Sequence, residues 1–228
     1  MLGDRLRNKM KLYGHPACIN TAKVLFTAAE KGVDMETHPV DPAALPQEVA
    51  AISPFGSVPV LQDVDLVVYG TPAIMSYLDD KGFGPSLLPR NGVVRAVNYQ
   101  WSHIATDHVQ PQVMALMSGD GDREVIAKGF AALSEQLQSS NPNVRGDFIC
   151  GNFCLADIHW AAVAHGCQLA GADDLAGDLV EANSAVKTWW GHIQSHPSTS
   201  KEKIVAYDVL PTASDIQSNT LKGVQINA

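Results

Sequence analysis

Cys18 is the residue of this chain whose type and position most clearly suggest chemistry. It lies in the segment GHPACINTAKV, after a short predicted strand and directly before a predicted helix. The partial positive charge at a helix N-terminus stabilises a thiolate, which is the nucleophilic form of cysteine. Such a thiol can attack a disulfide or an electrophilic carbon. The alternative is that Cys18 is a small buried filler, a common role for free cysteines.

Other polar side chains could contribute to a site, but no metal-binding pattern is found. His15 could line the site, where a protonated imidazole would favour a thiolate, or it could be an ordinary loop residue. His103 and Asp107 are four residues apart and share one face of a predicted helix, but a third ligand cannot be placed. Cys150 and Cys154 have no His-x-x-His partner motif. We therefore expect no metal site.

The segment VVRAVNYQWSHIATDHVQPQVMALM predicts one long helix over residues 93–117, which carries His103 and continues to His108, Met114 and Met117. Methionine side chains adapt to apolar ligands. The segment could therefore form the wall of a substrate pocket, with His108 and Met114 in contact with substrate. It could equally be a solvated helix face with ordinary core packing beneath it.

The first half of the chain alternates between strand and helix patterns. Four short strands are predicted in MKLYG, METHPV and, as a hairpin, VPVLQDVDLVVYG. NTAKVLFTAAEKG has apolar residues at helical spacing and ends at Gly32, and ALPQEVAAI predicts a short helix. TPAIMSYLDDKG predicts a helix with Thr71 at the N-cap and Pro72 at the first helical position. The predicted order is β-α-β-α-β-β-α.

The second half is helical, and the linker GFGPSLLPRNG, rich in glycine and proline, precedes it. The segment CLADIHWAAVAHGCQLAG is almost wholly apolar, which predicts a buried central helix. We expect an α/β domain over residues 10–84, an all-helical domain over 91–206 and a tail over 207–228. The crevice between the two domains is the expected ligand site.

The composition excludes several classes of protein. The chain has 228 residues and a formal net charge of -8, so it lacks the basic surface that nucleic-acid binding requires. No apolar run is long enough to cross a bilayer, and the charged start is unlike a signal peptide. Residues 1–9 are expected to be either an extension or an artefact of an upstream start, since Met10 could serve as a second start. The four cysteines are expected to be free thiols in a reducing cytoplasm.

Three stretches of the chain together resemble the cytosolic glutathione transferase superfamily, in particular its phi-like and bacterial classes. They are KLYGHPACINTAKVLFTAAEKG, then SPFGSVPVLQDVDLVVYGTPAIMSYLDDK, then FICGNFCLADIHWAAVAHG with AVKTWWGHIQSHP. The resemblance covers the chain from about Met10 to Ala206. It implies a thioredoxin-like N-terminal domain followed by an all-α helical bundle, a cytoplasmic homodimer, glutathione as co-substrate and a small hydrophobic electrophile as acceptor. It implies no metal, nucleic-acid or membrane partner.

The resemblance also assigns roles to individual residues. Cys18 falls at the position of the family's catalytic serine or cysteine. Pro59 matches the family's cis-proline, which lets the backbone of Val58 pair with the cysteinyl unit of glutathione. Thr71 matches the serine that binds the γ-glutamyl carboxylate at a helix N-terminus. Phe55 matches an aromatic residue that often inserts into the partner subunit.

A second set of matches concerns a helix cap and missing contacts. The stretch from Cys154 to Asp157 matches the family's capping box, with cysteine in place of the hydroxyl residue. Gly70 replaces the acidic partner of the γ-glutamyl ammonium, and Ser57 replaces the Gln or Lys before the Val-Pro pair. Ala44 and Leu45 stand where basic residues bind the glycine carboxylate. Each lost charge-assisted hydrogen bond weakens binding by about 1.5–3 kcal/mol.

Three functions follow from these residues. The first is a glutathione transferase-like enzyme, in which Cys18 carries out thiol transfer or conjugation. Its thiol ligand would be held by a set of nearby residues: His15, Ser57, Val58, Pro59, Gly70 and Thr71. The second is sulfur transfer on the same fold with a thiol other than glutathione. The third is a non-catalytic binding protein. Cysteine, unlike serine, can itself attack, which favours thiol transfer, reductive dehalogenation or ether cleavage.

Overall fold

The computed structural model describes residues 9–15, 17–170 and 183–197. The predicted tail over residues 207–228 and residues 1–8 of the predicted extension lie outside the described residues. Within the described ranges, no helix is both long and apolar enough to cross a membrane.

The N-terminal half is a four-stranded sheet with helices, in the predicted element order. Its elements are β1 (Met10–Gly14), α1 (Ile19–Glu30), β2 (Met35–Pro39), a 3-10 turn (Pro42–Ala44), α2 (Gln47–Ile52), β3 (Val60–Asp63), β4 (Leu66–Tyr69) and α3 (Thr71–Lys81). The strand order is β2-β1-β3-β4, with β1 parallel to β2 and β3 antiparallel to both of its neighbours. The predicted thioredoxin-like fold is therefore confirmed.

The start of α3 differs from the prediction by one residue. The helix begins at Thr71, so Gly70 and not Thr71 is the N-cap. Gly70 has a φ of 84°, in the left-handed region that residues with a Cβ avoid. Glycine at this position therefore allows the chain to turn from β4 into α3.

The remainder of the described chain is helical, as predicted. Its elements are α4 (Gly92–His103), a π-helical turn (Ile104–Val109), α5 (Gln110–Met117), α6 (Arg123–Leu137), α7 (Leu155–Leu169) and α8 (Ser184–Ser195). The π-helical turn interrupts the long helix predicted over residues 93–117. Pro111 explains the interruption, because it has no N–H to donate to the carbonyl of Asp107 and its ring would clash there.

Helices α1 and α7 lie at the centre of the molecule. Helix α7 is buried along most of its length, as its apolar sequence predicts. Helix α1 packs against α3 and against α7, and nine of its twelve residues are buried. One apolar cluster runs from Leu12 in the sheet to Trp189 in α8. The two halves therefore share a core, and the helical half helps to enclose α1.

Asp157 holds the start of α7 in the predicted capping box. Its carboxylate accepts hydrogen bonds from the Cys154 backbone N–H at 3.0 Å and from the Cys154 thiol at 3.2 Å. It also accepts from the Ile149 backbone N–H at 3.1 Å and from Trp189 Nε1 at 2.8 Å. Burial raises the pKa of Asp157 to about 6, although the four hydrogen bonds favour the ionised form. The carboxylate thus joins α7 to the preceding loop and to α8.

Candidate active site

Cys18 occupies the N-cap of α1, immediately after the loop that follows β1. Its backbone N–H donates to the carbonyl of His15 at 3.0 Å, and its carbonyl accepts from the Ala22 N–H at 3.0 Å. Its side chain makes no capping hydrogen bond and is partly exposed. The thiol therefore lies at the head of a helix and is accessible to a ligand.

The thiol lines a cleft of about 570 Å³, which we call the Cys18 cleft. The cleft lies between the loops of the sheet domain and the helices of the second half. It is lined by His15, Cys18, Asn20, Pro42, Phe55, Gly56, Ser57, Val58, Thr106, Gln110, Pro111, Met114, Ala115 and Ser118. Among the described residues, no Asp, Glu, Lys or Arg belongs to this lining. A cleft therefore lies between the two halves, where the ligand site is expected, and its described lining is mainly apolar and uncharged.

The structure brings several of the predicted site residues together around Cys18. His15, Ser57, Val58 and Met114 all line the Cys18 cleft. Phe55 lies at the same cleft with 83% of its surface exposed.

Pro59 follows Val58, and the peptide bond between them is cis, as the resemblance predicts. Gly70 and Thr71, at the start of α3, do not line the Cys18 cleft, and a Cβ built on Gly70 would meet no atom within 4 Å. His108 is exposed and lies outside the cleft, with its ring 5.4 Å from that of His103.

The environment of His15 disfavours the protonated imidazole that would favour a thiolate at Cys18. It is 5% exposed, and its Nδ1 accepts a hydrogen bond from the Ala17 backbone N–H at 3.2 Å. Burial lowers the pKa of His15, although the carboxylate of Asp41 opposes that shift. The ring is therefore neutral, with its proton on Nε2, and its role is to hold the loop before Cys18.

The loop before the cis peptide bond is fixed by hydrogen bonds and leaves the Val58 backbone unpaired among the described residues. Ser53 Oγ donates to the Ser57 carbonyl at 2.7 Å and accepts from the Ser57 N–H at 2.9 Å, which fixes the loop before Val58. Among the residues that the structure describes, the backbone N–H and C=O of Val58 have no hydrogen-bond partner. A peptide unit of a ligand could pair with them.

A buried lysine behind the cleft was not anticipated from the sequence. Lys23 is fully buried, and its Nζ donates to Thr106 Oγ1 at 3.0 Å and to Gln110 Oε1. Gln110 Nε2 in turn donates to Asn20 Oδ1 at 3.0 Å. Thr106, Gln110 and the predicted Met114 recur every four residues, so the helical period could have indicated the two polar members of this face. The period could not have indicated Lys23.

Burial lowers the pKa of Lys23 to about 7, although the negative charges of the Cys18 thiolate and Asp107 oppose the shift. Thr106 Oγ1 also lies 3.1 Å from Nδ1 of His159. Burial, followed by the charge of Lys23, lowers the pKa of His159 to about 3. Behind the lining of the cleft, Lys23, with a pKa of about 7, therefore lies in the same hydrogen-bonded group as the neutral imidazole of His159.

The predicted pair of His103 and Asp107 lies at a different cleft. His103 Nδ1 lies 2.5 Å from Asp107 Oδ2, and both side chains line a second cleft of about 520 Å³ between α3 and α4. Thr106 lines both clefts. Within the ranges that the structure describes, no group of three or more His, Cys, Asp or Glu could hold a metal ion.

Comparison with known proteins decides the family. Residues 12–86 match the family model for the glutathione S-transferase N-terminal domain. The chain is 30% identical over 208 residues to glutathione S-transferase 3 of Zea mays. The alignment covers 84% of this chain and 92% of that protein. The chain belongs to the glutathione S-transferase family.

Two further relatives of this glutathione S-transferase family member bear on its activity. The apo structure of glutathione S-transferase III aligns with a TM-score of 0.72 and 29% identity, over 90% of this chain and 99% of that chain. A stringent starvation protein A homologue of Pasteurella multocida is 30% identical over 170 residues, or 73% of this chain and 79% of that protein. The relatives thus include proteins that are not named as transferases.

Proposed function

We propose that this family member is a thiol transferase that uses glutathione as co-substrate and Cys18 as its nucleophile. The observation that carries the proposal is the position of the thiol. Cys18 is partly exposed at the N-cap of α1 and lines a cleft together with Val58, whose backbone is free to pair with a ligand. The partial positive charge of the helix start favours the thiolate.

The chemistry follows from a thiolate without a neighbouring second cysteine. The Cys18 thiolate attacks the glutathionyl sulfur of a mixed disulfide, so a new S–S bond forms and the old one breaks. The substrate leaves as a thiolate and takes a proton from water. The residue three positions after Cys18 is Thr21, so a second glutathione thiolate resolves the intermediate and leaves as glutathione disulfide. Cys18 is returned as a thiolate, and no further oxidant is needed.

The acceptor that fits this cleft is small and hydrophobic. Phe55, Pro111 and Met114 supply apolar surface in the cleft that Cys18 lines. With an electrophilic carbon in place of a disulfide, the glutathione thiolate forms the C–S bond and the leaving group departs with the bonding electrons. Cys18 would then donate a hydrogen bond to that thiolate, as a serine could.

The test compares wild type with Cys18→Ser and Cys18→Ala. Glutathione binding is measured by calorimetric titration, and turnover of a glutathione mixed disulfide is measured by coupled reduction of the product. We expect all three proteins to bind glutathione and both variants to lose about a hundredfold or more in thiol transfer. Absence of glutathione binding to wild type and to Cys18→Ala would overturn the choice of co-substrate. Unchanged turnover in Cys18→Ser would overturn the role of the nucleophile.

A second function, sulfur transfer with another thiol, has its own supporting observation. Glutathione carries two carboxylates, whereas the described part of the Cys18 cleft has no lysine or arginine in its lining. A thermal-shift series with glutathione, cysteine, cysteamine and coenzyme A separates the two functions. Strong stabilisation by glutathione alone would exclude this second function, and stabilisation by one of the other thiols would favour it.

A third function, non-catalytic binding, is motivated by the similarity to the stringent starvation protein A homologue. The rate at which Cys18 reacts with an alkylating reagent at neutral pH separates it from the enzymatic functions. A slow reaction would favour a binding protein, because the active nucleophile of an enzyme must be accessible and ionised.

A further inference from the structure

The imidazole of His15 brings a hydrogen-bond donor of fixed position to the Cys18 cleft. The side chain is 5% exposed and lines the cleft. Its Nδ1 accepts from the Ala17 backbone N–H at 3.2 Å, so Nδ1 carries a lone pair and the ring proton is on Nε2. Among the described residues, Nε2 has no acceptor, and Asp41 instead accepts from the Ala43 N–H at 2.9 Å. His15 therefore offers the cleft an N–H group without a partner.

The side-chain amide of Asn20, in the first turn of α1, is a second such donor, and a series of hydrogen bonds sets its orientation. A protonated lysine has donors only, so Lys23 Nζ must meet the oxygen of Gln110, and it donates to Oε1. The amide nitrogen of Gln110 is then turned to Asn20, and Nε2 donates to Asn20 Oδ1 at 3.0 Å. The oxygen of Asn20 is thereby occupied, and its Nδ2 has no partner among the described residues.

Gln110 has no hydrogen-bonding group left for a ligand. It is 4% exposed, its oxygen accepts from Lys23, and its nitrogen also lies 3.6 Å from Met114 Sδ. Its amide is therefore a link that fixes Asn20. Lys23 lies behind this link and does not belong to the lining of the cleft, whereas Asn20 does. The group that the cleft presents to a ligand is thus the Asn20 amide N–H and not the ammonium.

The two donors match an oxygen acceptor on a ligand. His15 Nε2 and Asn20 Nδ2 retain accessible surface, since neither belongs to the fully enclosed unpaired polar atoms of the structure. The described lining contains no Asp or Glu that would compete for them. A carboxylate is favoured over a neutral oxygen because hydrogen bonds to a charged acceptor are stronger. The apolar part of the lining would contact the remainder of such a ligand.

We propose that His15 Nε2 and Asn20 Nδ2 are specificity-determining donors, which bind a carboxylate that the acceptor substrate carries close to its reacting atom. The inference rests on the proposed function, in that Cys18 is the reactive thiol, and it narrows the acceptor to a small apolar molecule with an acidic group. Both donors are within three residues of Cys18 in the chain. Glutathione, in contrast, carries its carboxylates at its two ends, away from its sulfur.

The test compares two reagents that modify Cys18 by one reaction, 2-carboxyethyl and propyl methanethiosulfonate. With either reagent the thiolate attacks the sulfur that carries the alkyl group, a new S–S bond forms, and methanesulfinate leaves with the electrons of the old bond. The ratio of the two rate constants at neutral pH cancels the fraction of thiolate, which is common to both. Cys150, Cys154 and Cys167 are buried, so the native protein reports Cys18, and Cys18→Ser provides the blank.

We expect Asn20→Leu to lower the carboxyethyl-to-propyl ratio about tenfold, because a hydrogen bond to a charged acceptor is lost while the size of the side chain is kept. Asn143→Leu is the matched control, since it removes the same amide from an exposed turn outside the cleft lining, and it should leave the ratio unchanged. Glutathione binding, measured by calorimetric titration, should be the same in Asn20→Leu and wild type.

A competition experiment on wild type needs no variant. Butyrate and butyramide have the same shape, and only butyrate carries a carboxylate. Butyrate should therefore protect Cys18 from the propyl reagent more strongly than butyramide does. Equal protection by the two compounds would overturn the inference, even if Asn20→Leu failed to fold.

The other outcomes also separate the possibilities. An unchanged ratio in folded Asn20→Leu would show that Asn20 does not select the carboxylate. A weaker affinity for glutathione in Asn20→Leu, with an unchanged ratio, would assign the donors to glutathione and overturn their assignment to the acceptor. A wild-type Cys18 that reacts with neither reagent would instead refute the proposed function, so the two failures are distinguishable.

Discussion

Lys31, at the end of α1, and Asp79, in α3, form an ion pair of 2.9 Å with only 2% and 5% of their side chains exposed. Asp79 also accepts from the Leu87 backbone N–H at 2.9 Å and from Ser86 Oγ at 2.9 Å. Lys31 Nζ donates to the Pro85 carbonyl at 2.8 Å. One buried pair thus ties α1 and α3 to the segment that leads into the helical half.

Loss of one partner of this pair should be costly. Asp79→Ala leaves the Lys31 ammonium buried with a single carbonyl acceptor, so we expect the free energy of unfolding to fall by about 3–5 kcal/mol in urea denaturation. The control is Asp34→Ala, which breaks the exposed pair with Lys9 at 3.1 Å and should cost less than about 1 kcal/mol. Similar losses in both variants would contradict the importance of burial.

The same pair has a defined pH dependence. Burial alone would raise the pKa of Asp79, but the hydrogen bonds from Leu87 and Lys31 outweigh it and lower the pKa below 3.8. The stability that Asp79 contributes is therefore present above about pH 4 and is lost as the pH falls further. The deficit of Asp79→Ala relative to wild type should shrink over that range.

The stability that Asp157 contributes should depend on pH in the opposite direction. Burial raises its pKa to about 6, against 3.8 when unfolded, so between these values the folded state binds a proton that the unfolded state releases. The stability from this group is present below pH 3.8 and is lost as the pH rises through 6. We expect the free energy of unfolding of wild type, relative to Asp157→Asn, to fall by up to about 3 kcal/mol from pH 4 to pH 7. Parallel pH profiles for the two proteins would refute this.

Gly166 should be sensitive to one added methyl group. A Cβ at this position in α7 would lie 2.6 Å from Cδ1 of Ile19, the residue after Cys18, and 3.1 Å from Cγ1 of Val113. Gly166→Ala should therefore lower the free energy of unfolding by about 1–3 kcal/mol, because the Ile19 side chain must shift, and it should slow Cys18 alkylation if that shift displaces the start of α1.

The control for Gly166→Ala is Gly191→Ala in α8, where a Cβ would meet nothing within 4 Å. There we expect a gain of about 0.5–1 kcal/mol, since alanine favours helix more than glycine does. A stable Gly166→Ala protein with unchanged alkylation would show that α7 does not set the position of Cys18.

Much of the fold could be predicted because its causes are local. Apolar spacing indicated the helices, and short alternating segments indicated the strands, so the element order of the first half was correct. The position of Cys18 before α1 followed from the same local pattern. The resemblance indicated the cis bond before Pro59 and the cap formed by Asp157.

Other features depend on geometry that a local pattern does not contain. Gly70, and not the predicted Thr71, is the N-cap because the turn out of β4 needs a residue with a left-handed backbone conformation. The π-helical turn before Pro111 carries Thr106 into the wall of the cleft. His15 is neutral because folding buries its ring and directs the Ala17 N–H onto it.

The sequence by itself determined that a thiol would lie at the head of a helix in an α/β unit, because capping and periodicity act between neighbours in the chain, and the family resemblance added the thioredoxin-like topology. Only the tertiary structure decided what lies behind the cleft that this thiol lines. Lys23 would be an ordinary surface lysine if α1 stood alone. It is buried because Thr106 and Gln110, 83 and 87 residues away in sequence, cover it from the helical half. A charge acquires its cost and its partners only when distant elements remove it from water.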